Sequence, residues 1–268
     1  MKTRAITAFF FTIIMLGSIF LGAYTFTAFY LLLSVVCLLE FYRMIKTTKA
    51  HPNLFIGVSL AILCFGSIAA SHFIDIPVKN LLLYIPLFFA VFIAELYRKS
   101  EHPFSNIAFT FLGLIFVILP FSFFFSLGFI TDNSYSFHFP LAFLLMLWAN
   151  DTGAYLFGMK FGKHRLFERH SPKKSWEGFF GGIFTGLIVA FIVSIWFHEI
   201  SLLEWTGMAL IISCFGTLGD LVESMLKRSL SVKDSGNFLP GHGGFLDRFD
   251  GLLIAAPLVY TYLFWLLN

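Results

Sequence analysis

Charge is scarce in this sequence. Asp, Glu, Lys and Arg supply 12% of its 268 residues, whereas soluble domains carry about 25%. So few charges cannot cover a water-exposed surface. With 58% apolar residues and a mean hydropathy of +0.85, the chain is expected to be an integral membrane protein. A cytosolic enzyme, a secreted disulfide scaffold and a disordered chain are thereby excluded. Cysteine is also scarce. Cys37, Cys64 and Cys214 each sit in an apolar stretch without CxxC or other ligand spacing, which argues against a disulfide framework or a thiolate metal site. The soluble-enzyme fingerprints are missing too: the sequence contains no GxxxxGK[ST], no Rossmann glycine motif and no GxSxG elbow. Phe, by contrast, is abundant at 38 residues, which suits lipid-facing helices.

Apolar stretches near the length of about 20 residues that a transmembrane helix needs recur along the chain. They predict nine spans, at 5–21, 23–43, 54–73, 79–97, 106–130, 138–158, 179–198, 205–222 and 251–267. Runs such as Leu81-Leu82-Leu83 and Phe88-Phe89-Ala90 do not alternate as barrel strands would, so the expected class is an all-α, polytopic membrane protein. Of the 18 Lys and Arg, all but Lys79 then fall on the side of the N-terminus. By the positive-inside rule that side is cytoplasmic and the C-terminus lies outside, in a cell (inner or plasma) membrane. Lys2 and Arg4 resemble the start of a signal peptide, but no A-x-A cleavage site follows, so a retained first span is expected. No inverted internal repeat of the transporter kind is visible.

The two halves differ. Residues 1–135 are read as scaffold helices making lipid and dimer contacts, with their polar groups at helix ends or in short connections. Glu40 and Glu95 are expected to reach the headgroup layer, and His51, His72, His102 and His138 are isolated. Residues 136–268 gather every dense polar cluster on the cytoplasmic side. These clusters are Asn150-Asp151-Thr152, the connection from Gly162-Lys163 to Ser171-Pro172-Lys173-Lys174-Ser175-Trp176-Glu177-Gly178, and the stretch from Gly219-Asp220 to Asp250-Gly251. An Asp near mid-membrane costs roughly 2.5–3.5 kcal/mol, so Asp151 and Asp220 are expected to line a wet cavity or to meet headgroup water. Asp220 and Glu223 share a helix face at i, i+3, and Asp247 and Asp250 repeat the interval. Two such pairs can converge on a hard cation such as Mg²⁺. Between them, Gly243-Gly244 can form a backbone anion nest, with Lys227, Arg228 and Lys233 supplying positive charge. The same cations also read as a basic collar for anionic headgroups. Ser171-Pro172-Lys173-Lys174 reads as a phosphate-contacting turn or, equally, as the entry to the seventh span.

Ser224-Met225-Leu226-Lys227-Arg228, Lys233-Asp234-Ser235-Gly236 and Pro240-Gly241-His242-Gly243-Gly244-Phe245-Leu246-Asp247-Arg248-Phe249-Asp250 together resemble the signature of the CTP:phosphatidate cytidylyltransferase (CDP-diacylglycerol synthase) family. Asn150-Asp151-Thr152, Ser171-Pro172-Lys173-Lys174 with Glu177-Gly178, and Gly219-Asp220 with Glu223-Ser224 resemble family segments in the same order. The close likeness covers roughly 145–255; Gly251 departs from it, where many relatives carry Ser. The resemblance implies a multi-span helical homodimer that uses Mg²⁺ at a two-metal centre, with K⁺ as a possible monovalent partner. Its substrates would be CTP and phosphatidic acid, drawn from cytosol and lipid bilayer, with no nucleic acid. Asp220 and Asp247 are carried over as metal ligands, with Glu223 and Asp250 as auxiliary ligands. Lys233, Asp234 and His242 join Asp220, Asp247 and Asp250 as catalytic candidates. Lys227, Arg228, Arg248, Gly243 and Gly244 are candidates for the triphosphate. Ser171, Lys173 and Lys174 are candidates for the phosphatidate headgroup, and Asp151 for completing the cavity. Two rivals stand beside this reading: a transporter, which would carry ionisable residues in the spans of both halves, and another CTP-using membrane enzyme such as a polyprenol kinase.

Overall fold

A computed structural model of the chain describes residues 2–74, 82, 84–131, 134–236 and 243–267. It forms two compact units, one of Met1–Ser126 with Leu230–Arg248 and the other of Leu127–Ser229 with Phe249–Asn268. The segment 230–248, which holds most of the signature, thus packs with the N-terminal helices.

The first unit contains α1 (Lys2–Phe20), α2 (Ala23–Ile45), α3 (Leu54–Ser71), α4 (Tyr84–Tyr97), α5 (Pro103–Gly113) and α6 (Leu119–Ser126). Gly22, at φ 105°, makes the break between α1 and α2 in a backbone region that other residues avoid. Asn53 caps α3 by accepting the Ile56 N–H at 3.1 Å. Pro120 has no N–H to continue the helical ladder, and the chain takes a π-helical turn over Leu114–Ile118 just before it. The core is aromatic. Phe26, Tyr30, Phe65, Phe121, Phe124 and Phe125 are fully buried, with Phe26 stacked on Phe125 at 5.6 Å and Tyr30 against Phe124 at 4.9 Å.

One polar network runs through this unit, and it corrects the expectation for Glu95. That residue is 3% exposed; it does not reach the headgroups. Its carboxylate accepts from Asn106 Nδ2 at 2.5 Å and from Arg98 Nη1 at 2.9 Å. Asn106 Oδ1 accepts the His51 N–H, Thr110 Oγ1 accepts the Asn53 N–H, and Tyr42 Oη donates to the Thr110 carbonyl. Every link satisfies a group that burial would otherwise leave costly.

The second unit contains α7 (His138–Phe161), a hairpin of β1 (Arg165–Phe167) and β2 (Ser171–Ser175), then α8 (Trp176–Trp196), α9 (Leu202–Ser229) and α10 (Asp250–Leu267). The strands pair antiparallel, Arg165 opposite Ser175 and Phe167 opposite Ser171. Among the described residues this hairpin is the departure from the all-α expectation. Ser171–Ser175, read as a turn or helix entry, is a strand whose last residue caps α8 by accepting the Gly178 N–H at 3.1 Å. Pro172 is accommodated because a two-stranded ribbon has only edges.

Small residues let α7 and α8 approach closely, as at membrane helix crossings. A Cβ on Gly182 would lie 2.5 Å from Asn150 Oδ1, and Gly153 and Gly181 are similarly filled by Thr185 and Phe157. Where α9 meets α10, a Cβ on Gly219 would strike the Asp250 carbonyl, and one on Gly251 would lie 2.9 Å from Leu147 Cδ1. A glycine at 251 thus fits the close packing of Leu147 there. Trp205, fully buried, stacks on Phe139 and donates to the Phe197 carbonyl.

Among the described residues a helix lies within each stretch where a span is expected; 79–81 and 83, at the start of the fourth, lie outside the described residues. Six, among the described residues, are long and apolar enough to cross a membrane: Ala23–Ile45, Leu54–Ser71, Pro103–Phe129, Trp176–Trp196, Leu202–Ser229 and Asp250–Leu267. Phe9–Phe20 and Tyr84–Tyr97 are shorter apolar stretches, and α7 carries Asn150, Asp151, Thr152 and Lys160 in its second half. The chain is a multi-pass helical membrane protein. Outward apolar side chains such as Phe191, Trp196, Leu203 and Trp265 are then solvated by lipid.

Candidate functional site

The second unit holds a cavity of about 450 Å³ whose polar lining includes Asn150, Asp151, Lys173, Lys174, Thr217 and Asp220. Three elements supply these groups: the polar half of α7, strand β2, and the last turns of α9. The expected 205–222 span continues as helix to Ser229, so Asp220, Glu223, Ser224, Lys227 and Arg228 all project from one rigid rod. Lys174 Nζ lies 2.6 Å from Asp220 Oδ2 and 3.4 Å from the Thr217 carbonyl. Ser224 Oγ donates to the other Asp220 oxygen at 3.2 Å. One turn further, Glu223 is fully buried and paired with Lys227 Nζ at 2.8 Å.

Asp250 opens α10, where the helix N-terminus favours a carboxylate. It accepts the Gly251 N–H at 2.7 Å, and the charges of Asp220, Glu223 and Asp151 bear directly on it. Asp151 in turn interacts with Asp220 and Lys174. Four carboxylates from α7, α9 and α10 thus share one neighbourhood with two lysine ammoniums. Like charges this close require a counter-charge.

The hairpin that presents Lys173 and Lys174 is held by Glu177. Its carboxylate accepts from the N–H groups of Lys163 and His164 at 3.1 and 3.2 Å and from His164 Nδ1 at 2.6 Å. The quoted segment contains Glu177, but only the fold shows that it fastens the turn leading out of α7. Ser171 sits at the far end of β2, opposite Phe167.

The signature loop belongs to the first unit. Asp247 accepts the Ser235 N–H at 3.0 Å and the Gly244 N–H at 2.9 Å. Gly243 has φ 83°, and a Cβ there would lie 2.7 Å from Asp247 Oδ2. Lys233, Asp234, Arg248 and, at the end of α9, Arg228 are exposed. His242 lies outside the described residues. Sequence reasoning missed Glu40, which is 2% exposed and is a correction to its expected place at the headgroups. Its Oε2 accepts the Leu246 N–H at 2.9 Å. No local signal marks such a contact, because 206 residues separate the partners.

Among the described residues no three His, Cys, Asp or Glu side chains form a ready metal cage. The donor set of the second unit nevertheless fits Mg²⁺. It is all oxygen, and its carboxylates outnumber the ammoniums that neutralise them. Cys37, Cys64 and Cys214 form no disulfide among the described residues.

A cavity that sets lysines beside carboxylates in a membrane protein suits a phosphate-bearing substrate, and sequence comparison points to a transferase. The sequence profile of the Cytidylyltransferase family matches residues 2–266, and the chain belongs to that family. It is 37% identical over 263 residues, 97% of each chain, to the phosphatidate cytidylyltransferase of Staphylococcus haemolyticus (strain JCSC1435). It is 38% identical over the same share to that of Staphylococcus aureus (strain COL), and 35% identical to that of Staphylococcus epidermidis (strain ATCC 35984 / DSM 28319 / BCRC 17069 / CCUG 31568 / BM 3577 / RP62A).

Proposed function

We propose that the chain transfers CMP from CTP to phosphatidic acid, giving CDP-diacylglycerol and pyrophosphate for phospholipid synthesis. The observation that carries this reading is the Lys174–Asp220 ion pair, at 2.6 Å, in the wall of the cavity. An ammonium and a carboxylate held together there can exchange partners, the first for a phosphate and the second for a divalent cation. The phosphatidate phosphate is already anionic near neutral pH. One of its oxygens attacks the α-phosphorus of CTP, the new P–O bond forms, and the bond to the β-phosphate oxygen breaks as pyrophosphate departs. No strong base is needed, so catalysis rests on positioning and charge neutralisation.

Lys173 and Lys174 hold the phosphatidate headgroup from β2 while its acyl chains stay in lipid. Lys227, Arg228, Lys233 and Arg248 attract the triphosphate. Asp220, Glu223 and Asp250 would hold Mg²⁺, with Asp247 the further ligand that the family likeness implies. Bound there, Mg²⁺ would neutralise charge on the attacking and departing oxygens. A monovalent ion such as K⁺ is a second occupant to test, and the working form is taken to be a homodimer. The proposed topology has nine crossings with the cavity open to the cytoplasm, supported by the one-sided distribution of Lys and Arg.

The test uses purified protein in detergent with phosphatidate, Mg²⁺ and CTP labelled at either the α or the γ phosphate. Label reaching the lipid from the α position only is the expected result. Transfer from the γ position only means a lipid kinase and overturns the proposal.

A further inference from the structure

In the first unit, α2 passes beneath the signature loop, and Glu40 is the residue that meets it. Its Oε2 accepts the Leu246 N–H at 2.9 Å and the Ser235 hydroxyl at 3.4 Å. Its Oε1 is buried and, among the described residues, has no hydrogen-bond partner. The carboxylate is also wedged between two glycines of the signature. A Cβ on Gly236 would lie 3.0 Å from Glu40 Oε1, and a Cβ on Gly244 would lie 2.5 Å from Glu40 Oε2. Neither glycine has φ in the left-handed region, so the missing side chain makes room for this carboxylate at Gly236, and at Gly244 for it and the Ser235 hydroxyl together.

The residues that Glu40 touches are those that hold Asp247. Ser235, whose hydroxyl bonds Glu40, donates its own N–H to Asp247; Gly244, packed on Glu40, does the same; and Leu246 immediately precedes Asp247. Glu40 therefore ties both ends of the described loop, 235–236 and 244–246, to one helix. A cavity of about 230 Å³ lined by Glu40, Arg43, Asp234 and Ser235 lies beside it.

We propose that Glu40 is a positioning residue for the reaction: from the N-terminal half of the chain it sets the loop conformation that aims the Asp247 carboxylate. The part of this inference that concerns turnover rests on the cytidylyltransferase reading; the part that concerns the loop does not. Reach and charge separate it from an electrostatic role. Gln at position 40 keeps the acceptor at the right distance and loses the charge, whereas Asp keeps the charge and withdraws it by one methylene.

The experiment compares Glu40→Gln, Glu40→Asp and Glu40→Ala by steady-state kinetics and by hydrogen–deuterium exchange at 243–248 in the full-length protein without added metal. Glu40→Gln is expected to stay within about threefold of the parent in kcat, while Glu40→Asp and Glu40→Ala lose about tenfold or more, as for the loss of one or two ordinary hydrogen bonds. KM for CTP should move by less than about threefold in all of them, because positioning acts on the reacting geometry. Exchange at 243–248 should accelerate in the Asp and Ala variants, with α7–α9 unchanged. An active Asp variant beside an inactive Gln variant would mean that charge matters, and would overturn the proposal. So would unchanged loop exchange, or exchange raised across the whole first unit. If Glu40→Ala fails to fold, the Gln and Asp pair decides alone. Accelerated loop exchange in a protein found to transfer the γ-phosphate would leave the loop assignment standing and remove the cytidylyltransferase reading.

Discussion

The two units use carboxylates in opposite ways. In the first, Glu40 and Asp247 accept from backbone N–H groups and a hydroxyl, and Glu95 accepts from an amide and from the guanidinium three residues on. Hydrogen bonds of this kind hold the chain in one shape. In the second, Asp151, Asp220, Glu223 and Asp250 crowd one another and are balanced by the ammoniums of Lys174 and Lys227. Like charges this close repel, and under the proposed function an incoming phosphate and cation would relieve the repulsion. A carboxylate that builds a loop and one that waits for a counter-ion cannot be told apart by residue type; the donors around each decide.

The sharpest way to break this contrast is at Asp220. Asp220→Asn is expected to lower kcat by about a hundredfold or more, since it removes a proposed cation-holding oxygen and the partner of Lys174. The variant should still insert and purify. Retention of more than about a tenth of activity, on the same scale of effect, would end the metal-ligand assignment. Lys174→Ala should come next, losing about ten- to a hundredfold in kcat/KM with the larger share in KM for phosphatidate. A loss confined to kcat would instead place Lys174 on the transition state.

Smaller effects probe the scaffold. Gly219→Ala would push a methyl onto the Asp250 carbonyl and is expected to cost about 1–3 kcal/mol of stability, read as a lower midpoint of thermal unfolding. Asn106→Ala should also cost about 1–3 kcal/mol, because it strands the buried Glu95 and the His51 N–H. With the fold intact, its kcat should stay near that of the parent. A large fall in kcat at undiminished stability would show that the polar network of the first unit serves the reaction, and the contrast between units would have to be redrawn.

Much of this was legible in the residues. Low charge and long apolar runs announced a helical membrane protein, and helices lie where runs of that length occur. Asp220 and Glu223 were readable as one helix face, and Lys174 as a phosphate-binding candidate. The strand at Ser171–Ser175 was not, because Pro172 and two lysines carry no strand signal and their extended form depends on pairing with β1. The burial of Glu40 and Glu95 was hidden for the same kind of reason. A glutamate near the end of an apolar helix has the same sequence context whether it meets headgroups or a distant loop. Gly243-Gly244 read as an anion nest; Gly244 does border an anion, but in this structure it is the Glu40 side chain of α2.

What the sequence determined by itself are the properties set by local solvation: membrane class, helical composition, the uneven placement of charge and, through an unbroken signature, the family. Each depends on stretches of chain short enough to be read in order. The tertiary structure alone decided which carboxylates are satisfied by backbone donors and which are left facing one another. Those outcomes arise from contacts between residues far apart in the chain, such as Glu40 with Leu246 or Asp151 with Asp220, whose energies depend on distance and burial and leave no mark on the neighbouring sequence.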